Sequence, residues 1–556
     1  MPVVRLSRSR LLKLVGIDDW DKVREALANL KCGVEAVVDD EVEIEVTSDR
    51  PDLFSTEGIA KAVRMFLGLE KPRKIEISGI EFVVEVDPPR KRPFIAVAAI
   101  DRVDLDERGL EELIQFQEKL HVTYGRGRRK VAIGLHDLDK LPSKHIRYTY
   151  VRIDEAKMIP LHLDKEMTVK QVLEEVEQGK LYGSISLDGD LHPAVLSGDK
   201  IIAIPPVINS DITRLESSTR RIFIDVTGTD LQTVIKILNV IVNALSIYGG
   251  RVLGAEILYP DRRIVTPDLT WRSIELDLDY AEQILGLELG SADRATQLLE
   301  RMGYLASSVD EHKLVVEVPP YRVDVLHPID VVEDLAIAIG YSAIEPDYVA
   351  SYGRTLPDMS RAIERIVRDI LVGLGYAEVN TFSLISRRLL EALGYREFVE
   401  IENPISTEMD CIRPSPLPSL IAVLKNSQHC EMPIKIFEIG SGVVRDEASA
   451  TGWRNLKYVA IAVMSSLIKF EDIHGDVYAL LRELGVEPKT KRCSKPMSIE
   501  GRTACIYVDG VEVGWIGELH PEILERIEIR YPVAVAELYL DRLIDIVAEQ
   551  VRRGVV

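Results

Sequence analysis

Residues 319–341 constrain the fold of this chain more than any other stretch. The double proline Pro319-Pro320 breaks whatever element precedes it. Val332, Leu335, Ala336 and Ile339 then recur at helical spacing, which predicts a helix with one apolar face. Asp330 occupies the expected N-cap with Glu333 three residues on, a capping-box pattern. Gly340 is the expected left-handed stop. Four carboxylates crowd the start of this helix: Asp324 on the incoming loop, then Asp330, Glu333 and Asp334. Acids there offset the positive end of the helix dipole. Oxygen ligands gathered at one point also suit a hard cation such as magnesium.

The chain has 556 residues, too many for a single core, so about three to five domains are expected. A hydrophobic share of 46% with 29% charged residues is that of a folded globular protein. No apolar run of about eighteen residues is evident, so no membrane span is predicted. Residues 1–5 lack a signal peptide's apolar core. The cysteines, at positions 32, 411, 430, 493 and 505, form no Cys-x-x-Cys pair. Neither a disulfide framework nor a zinc ribbon is therefore expected, and a reducing cytoplasmic setting fits. The net charge of −21 argues against a general nucleic-acid binder, because phosphates need clustered cations. Basic clusters occur only locally, at residues 90–92, 126–130 and 220–221.

Four domains are expected. In residues 1–89, an α/β unit, Val42, Ile44 and Val46 alternate with glutamates as a half-buried strand. A turn-rich Asp49-Arg50-Pro51-Asp52 and a helix through Ile59, Val63 and Phe66 follow. Nothing there looks catalytic. Residues 90–261 begin after the Pro88-Pro89 break. His136-Asp137 reads as a hydrogen-bonded turn after a strand. Residues 222–227 alternate, with Ile222, Ile224 and Val226 on one face and Phe223, Asp225 and Thr227 on the other. Thr229 and Gln232 suggest a capping box for the helix that follows. Residues 262–345 form a small helix-rich module around the four carboxylates, without a basic recognition helix. In residues 346–556 a long helix through Ile363, Val367 and Leu371 precedes a strand at 434–440. After residue 542 there is a single glycine, Gly554, so a Gly-rich phosphate-binding strand–helix is missing. Walker and Rossmann fingerprints are absent from the whole sequence.

The Arg322-x-Asp324, Asp330, Glu333-Asp334 spacing closely resembles the phenylalanyl-tRNA synthetase beta-subunit family, of archaeal/eukaryotic type. Further ordered matches support it: Arg50-Pro51-Asp52 with Glu57-Gly58-Ile59-Ala60, Pro205-Pro206-Val207-Ile208-Asn209-Ser210, residues 224–230, and residues 514–522. The resemblance implies an α+β multidomain chain. Its parts would be an N-terminal α/β unit, an editing domain, the carboxylate module and a degenerate, non-catalytic class II synthetase antiparallel-sheet domain. Arg413 falls near the position of that class's ATP-gripping arginine. The resemblance assigns magnesium to Asp324, Asp330, Glu333 and Asp334, and an editing pocket to Asn209, Ser210, Asp225 and Thr227. It implies an (αβ)₂ heterotetramer with an alpha subunit, which handles ATP and phenylalanine, and contact with tRNA(Phe). Proofreading would hydrolyse tyrosine misattached to that tRNA. Two other classes remain open on the residues alone. One is a metal-dependent hydrolase using Asp324, Asp330, Glu333 and His327. The other is a non-catalytic tRNA-binding scaffold.

Overall fold

The computed structural model describes residues 2–348 and 358–552, and Gly554 lies outside them. The chain divides into two compact units, Met1–Tyr348 and Val349–Val556.

In the first unit, Val3–Ser7 (β1), Cys32–Val38 (β2) and Glu41–Val46 (β3) form an antiparallel sheet in the order β1-β3-β2. Val42, Ile44 and Val46 point inward and are fully buried, as the alternation predicts. Helices Arg8–Val15 (α1), Trp20–Asn29 (α2) and Thr56–Phe66 (α3) pack beside it. The Arg50-Pro51-Asp52 turn is structural: the Arg50 guanidinium forks onto Asp52 at 2.9 and 2.7 Å. Glu57 is likewise buried against Arg10.

The central layer is a large mixed sheet. Its strands are Ile77–Val86 (β4), Phe94–Ile100 (β5), Val131–Asp137 (β6), His145–Arg152 (β7), Leu191–Ser197 (β10), Lys200–Ile204 (β11), Ile208–Asn209 (β12), Ile222–Gly228 (β13), Val252–Leu258 (β14) and Arg263–Thr266 (β15). Lys157–Met158 (β8) and Met167–Thr168 (β9) pair separately, ahead of helices Val169–Glu175 (α5) and Glu177–Tyr182 (α6). Strand order is β12-β11-β10-β7-β4-β14-β5-β13-β6, with β15 on β14. The sheet takes β4 from sequence N-terminal to residue 89, pairing it in parallel with β14 and β7. A boundary at 89 would therefore cut through a sheet.

Helices Glu107–Val122 (α4) and Leu231–Leu245 (α7) cover the sheet. Asp230, not Thr229, caps α7, accepting from the Thr233 amide at 2.8 Å. With its 3₁₀ extension, residues 231–248 are by length and composition apolar enough to cross a membrane, but 67% of that stretch is buried inside the protein, as in a core helix. It packs into a core that also takes Ile44, Val63 and Leu335.

The carboxylate module closes the unit. Arg272–Asp277 (β16), Leu305–Ser308 (β17) and Lys313–Val318 (β18) pair in the order β16-β18-β17, with helices Leu278–Leu285 (α8), Ala292–Arg301 (α9) and Pro328–Ile339 (α10). Helix α10 starts three residues earlier than the sequence predicts. Pro328 has no N–H to satisfy and its fixed φ suits a first helical position, so His327 becomes the N-cap and Asp330 lies inside the first turn. Gly340 follows the helix at φ 93°, ψ 124°, outside the left-handed helical region.

In the second unit, Ala377–Glu378 (β19), Ile434–Arg445 (β23), Trp453–Met464 (β24), Lys489–Arg492 (β25), Ser498–Val508 (β26), Val511–Leu519 (β27) and Val533–Tyr539 (β28) build one sheet. Its order is β19-β23-β24-β28-β27-β26-β25, antiparallel except at β19–β23. Strands Leu384–Ile385 (β20), Val399–Glu400 (β21) and Cys411–Ile412 (β22) form a small separate sheet near helix Arg387–Ala392 (α12). Alternate β24 residues feed two cores. Val459, Ile461 and Val463 face helices Met359–Gly373 (α11), Phe470–Glu483 (α14) and Leu540–Arg552 (α16). Ala460, Ala462 and Met464 face Leu417–Asn426 (α13) and Pro521–Arg526 (α15). Cys493 and Cys505 form a disulfide across the β25–β26 hairpin, with Cα atoms 5.7 Å apart. The thiol pairing comes from antiparallel register, not from a short sequence motif, which is why the spacing concealed it.

Candidate functional site

A cavity of about 300 Å³ opens between α4, β6 and residues 205–215. It is lined by Asn209, Ser210 and Asp225, three of the four residues expected there, together with Gly134, Arg128 and Thr213. Asp225 reaches it because β13 lies between β5 and β6. Opposite Asp225 in register is Gly134, where a Cβ would stand 2.0 Å from the Asp225 Oδ2 and 2.8 Å from the His136 Nε2. Glycine is therefore required for the carboxylate to lie across its neighbour strand. Thr227 shares the strand face but not the cavity. It is fully buried two residues on, its hydroxyl lacks a partner, and its carbonyl accepts from Arg92 at 2.9 Å.

His136 is the residue that sequence reasoning passed over. Its Nε2 lies 2.8 Å from Asp225 Oδ2 and its Nδ1 2.7 Å from Thr213 Oγ1, with all three side chains buried. With Asp225 ionised, Nε2–H donates to the carboxylate and Nδ1 accepts from the threonine hydroxyl. Asp137, the other half of the sequence pair, makes the turn predicted for it by accepting from the Asp139 amide at 2.9 Å. Asn209 Nδ2 donates to the Leu135 carbonyl at 3.2 Å, and Ser210 Oγ to the Ile159 carbonyl at 2.9 Å. Both are committed to holding the cavity wall.

The opposite wall is electrostatic. Arg128 pairs with Glu118, donates to the carbonyls of Pro206 and Val207 at 3.2 and 3.1 Å, and lies 4.4 Å over the Tyr182 ring. Burial opposes ionisation of Glu118, but the hydrogen bond from His121, with the charge and hydrogen bond of Arg128, outweighs it and holds the carboxyl below its usual range. Burial pushes His121 down in turn. Its Nε2 accepts from the Ile133 amide at 2.8 Å, which leaves Nδ1–H for Glu118.

The four carboxylates around α10 each have a partner already. Arg322 is 2% exposed and binds Asp324 at 2.7 and 3.0 Å and Asp334 at 2.6 Å. Tyr304 also donates to Asp334. Asp330 accepts from the amides of Leu326 and His327, both at 2.7 Å, acting as a cap from within the helix. Glu333 is exposed and pairs with Lys31. Among the described residues no three His, Cys, Asp or Glu side chains are placed to hold a metal ion. On this chain alone these acids do not fit a magnesium site: a guanidinium supplies the countercharge to the two buried ones.

In the second unit Arg413 is equally enclosed. It donates to Glu438 and Thr381, both at 2.7 Å, and to the Ser441 carbonyl at 3.1 Å. A guanidinium so neutralised has no open fork for a phosphate.

Residues 274–341 match the tRNA synthetase B5 domain, and residues 349–540 the phenylalanyl tRNA synthetase beta chain CLM domain. The chain is 41% identical over 554 residues to the phenylalanine–tRNA ligase beta subunit of Sulfurisphaera tokodaii, covering 98% of this chain and all of that one. It is 40% identical over 550 residues to the Aeropyrum pernix subunit of the same name, covering 98% of this chain and 99% of that protein. The crystal structure of an N-terminal fragment of the Pyrococcus horikoshii phenylalanyl-tRNA synthetase beta subunit superposes with TM-score 0.57. It is 34% identical and covers 61% of this chain and all of the fragment. With near full-length identity of this order, the chain belongs to the phenylalanyl-tRNA synthetase beta-subunit family.

Proposed function

We propose that the chain works as the beta subunit of a phenylalanine–tRNA ligase, with charging carried out in an alpha subunit of an (αβ)₂ complex, and that the Asp225 cavity hydrolyses tyrosine misattached to tRNA(Phe). The observation that carries this reading is the Thr213–His136–Asp225 chain beside a cavity of small-ligand size. His136 occupies Asp225 Oδ2 and leaves Oδ1 to meet a ligand. A fixed acceptor of this kind discriminates tyrosine from phenylalanine through the phenol hydroxyl, because phenylalanine would leave a buried polar group unpaired. Rejection by ring size alone is far weaker. Among the described residues lining the cavity no Ser–His or Cys–His pair offers a protein nucleophile, and the Thr213 hydroxyl, although bonded to His136, is fully buried; water is the attacking group in this reading. Asn209 and Ser210 shape the wall that receives the ester. The seven-stranded unit serves assembly in this reading, because Arg413, the arginine at the expected ATP-gripping position, is held by Glu438 and Thr381.

Magnesium at the α10 start belongs to the assembled enzyme in this reading. An ion shared with the alpha subunit would meet Asp330 and Glu333, not the two aspartates held by Arg322. The test is the selectivity of the assembled complex. Tyrosyl-tRNA(Phe) should lose its amino acid faster than phenylalanyl-tRNA(Phe), and Asp225→Ala should abolish that preference. Equal hydrolysis of both esters by the wild type would remove the proofreading reading.

A further inference from the structure

Residues 488–502 differ in charge from the rest of the chain. Within this stretch Lys489, Lys491, Arg492, Lys495 and Arg502 stand with one acid, Glu500, in a protein of net charge −21, although Lys495 also pairs with Glu512 at 3.6 Å. Strand β25 is the outer edge of the seven-stranded sheet, and all four of its residues are exposed. Lysines on an edge strand ordinarily guard it against pairing with another strand. A second observation points beyond that role. Helix α14 carries Phe470, His474 and Tyr478 at successive four-residue steps, and their half-buried rings form a ladder. Centroids are 5.5 Å apart from Phe470 to His474 and 4.1 Å from His474 to Tyr478, with planes 31° and 32° apart.

The ladder meets the basic strand. Tyr478 Oη lies 3.4 Å from Thr490 Oγ1. Arg492, Lys469 and Arg502 line a cleft of about 520 Å³ with Phe470 and Gly501. At Gly501 (φ +85°) a Cβ would stand 3.2 Å from the Arg492 guanidinium, so the glycine leaves that cation against bare backbone. On the strand's other face the Lys491 ammonium lies 4.9 Å over the Tyr507 ring. Nearby acids are largely engaged: Glu518 with Arg502 at 2.7 Å, Asp472 with the Lys469 amide at 2.9 Å, and Asp476 with Lys435 at 2.9 Å. Glu471 is exposed beside the cleft.

Cations running beside stacked aromatic faces are what a nucleic-acid strand requires: phosphates are neutralised while unpaired bases stack on rings. We propose that the edge formed by β25 and α14 is a contact surface for an RNA strand, separate from the Asp225 cavity. That the RNA is the enzyme's own tRNA rests on the functional reading above; the RNA chemistry does not.

The experiment uses the complex assembled with its alpha subunit. Binding of uncharged tRNA(Phe) is measured by fluorescence anisotropy between about 50 and 200 mM salt, where phosphate contacts dominate the salt dependence. The combined Lys489→Glu, Lys491→Glu, Arg492→Glu variant should weaken binding roughly tenfold or more and flatten the log K against log salt slope by about 2 to 3, the share of three lost contacts. His474→Ala with Tyr478→Leu should weaken binding by a similar factor with the slope unchanged, because stacking releases no counterions. Tyrosyl-tRNA hydrolysis at saturating tRNA should keep its kcat in the charge variant while KM rises. Asp225→Ala should do the reverse, so the two proposals fail separately. Unchanged affinity and slope in the charge variant would overturn the assignment. So would failure of that variant to co-purify with the alpha subunit, because the edge would then be a protein interface.

Discussion

The His136 imidazole lies 2.8 Å from the Asp225 carboxylate, across two neighbouring strands and 89 residues of sequence, with both side chains buried. The ring positions the carboxylate, and it need not touch substrate. His136→Ala should therefore lower kcat for tyrosyl-tRNA hydrolysis by roughly tenfold or more, less than the roughly 10²–10⁴-fold of a direct general acid–base group because the ring acts through Asp225. KM and phenylalanine charging should stay within a factor of about two. His136→Gln, which can still donate to Oδ2, should recover part of the loss. A wild-type kcat in His136→Ala would show that Asp225 holds its place unaided.

Gly134 makes the same point sterically. A methyl group at this position collides with Asp225 and His136 together. Gly134→Ala should reproduce the editing loss of Asp225→Ala and cost about 1–3 kcal/mol by overpacking. Denaturant unfolding and deacylation measured on one preparation would check both. Normal editing in this variant would mean that the carboxylate works from another position.

Arg322 is the countercharge of the carboxylate module. Arg322→Met leaves Asp324 and Asp334 buried without it and should cost about 3–5 kcal/mol. Asp330→Ala should cost only about 1 kcal/mol, the size of a lost cap. For the chain without its alpha subunit, wild-type thermal midpoints should not respond to a chelator, whereas magnesium should raise the midpoint of Arg322→Met by taking the vacated place among the acids. A wild-type midpoint that falls on chelation would contradict the countercharge role.

Acid sensitivity should follow Asp324. Burial raises its pKa, but the charge and hydrogen bonds of Arg322, aided by Arg50, outweigh burial and hold it below the ordinary 3.8. A carboxyl whose folded pKa is depressed contributes stability that is fully present above its unfolded value and is lost as pH falls through the folded one. Asp324→Asn should therefore lower stability at neutral pH and flatten its decline below about pH 4, the region of the unfolded aspartate pKa. Parallel pH–stability curves for the two proteins would rule this out.

Arg413 bears on charging. Preparations free of alpha subunit should give no phenylalanine-dependent exchange of pyrophosphate into ATP, because the guanidinium is closed by Glu438 and Thr381. Measurable exchange would place an ATP site in this chain.

Sequence pattern served well wherever a single element decides the outcome. The alternation of residues 222–227 put Asp225 on the correct face, and the glutamate alternation fixed β3. It failed where two elements decide jointly. Thr227 shares Asp225's face, but a face does not reveal where a cavity ends and core begins. The His136–Asp225 contact depends on β13 inserting next to β6, which no local period encodes. Asp330 was misread because Pro328 could start the helix three residues early. Arg322, which belongs to the same motif, closes back on both Asp324 and Asp334, a contact that spacing alone does not encode. Gly134 was the one overlooked local signal, a glycine inside a strand with a close approach to explain.

The most direct measurement is deacylation of preformed tyrosyl-tRNA(Phe) by the assembled complex, wild type against Asp225→Ala, with phenylalanine charging followed in parallel. The Asp225 cavity as proofreading site predicts hydrolysis slowed by at least roughly tenfold, of the order expected when a fixed polar partner is removed, and charging near normal. Equal hydrolysis rates in the two proteins would contradict it and leave Asp225 a structural partner of His136.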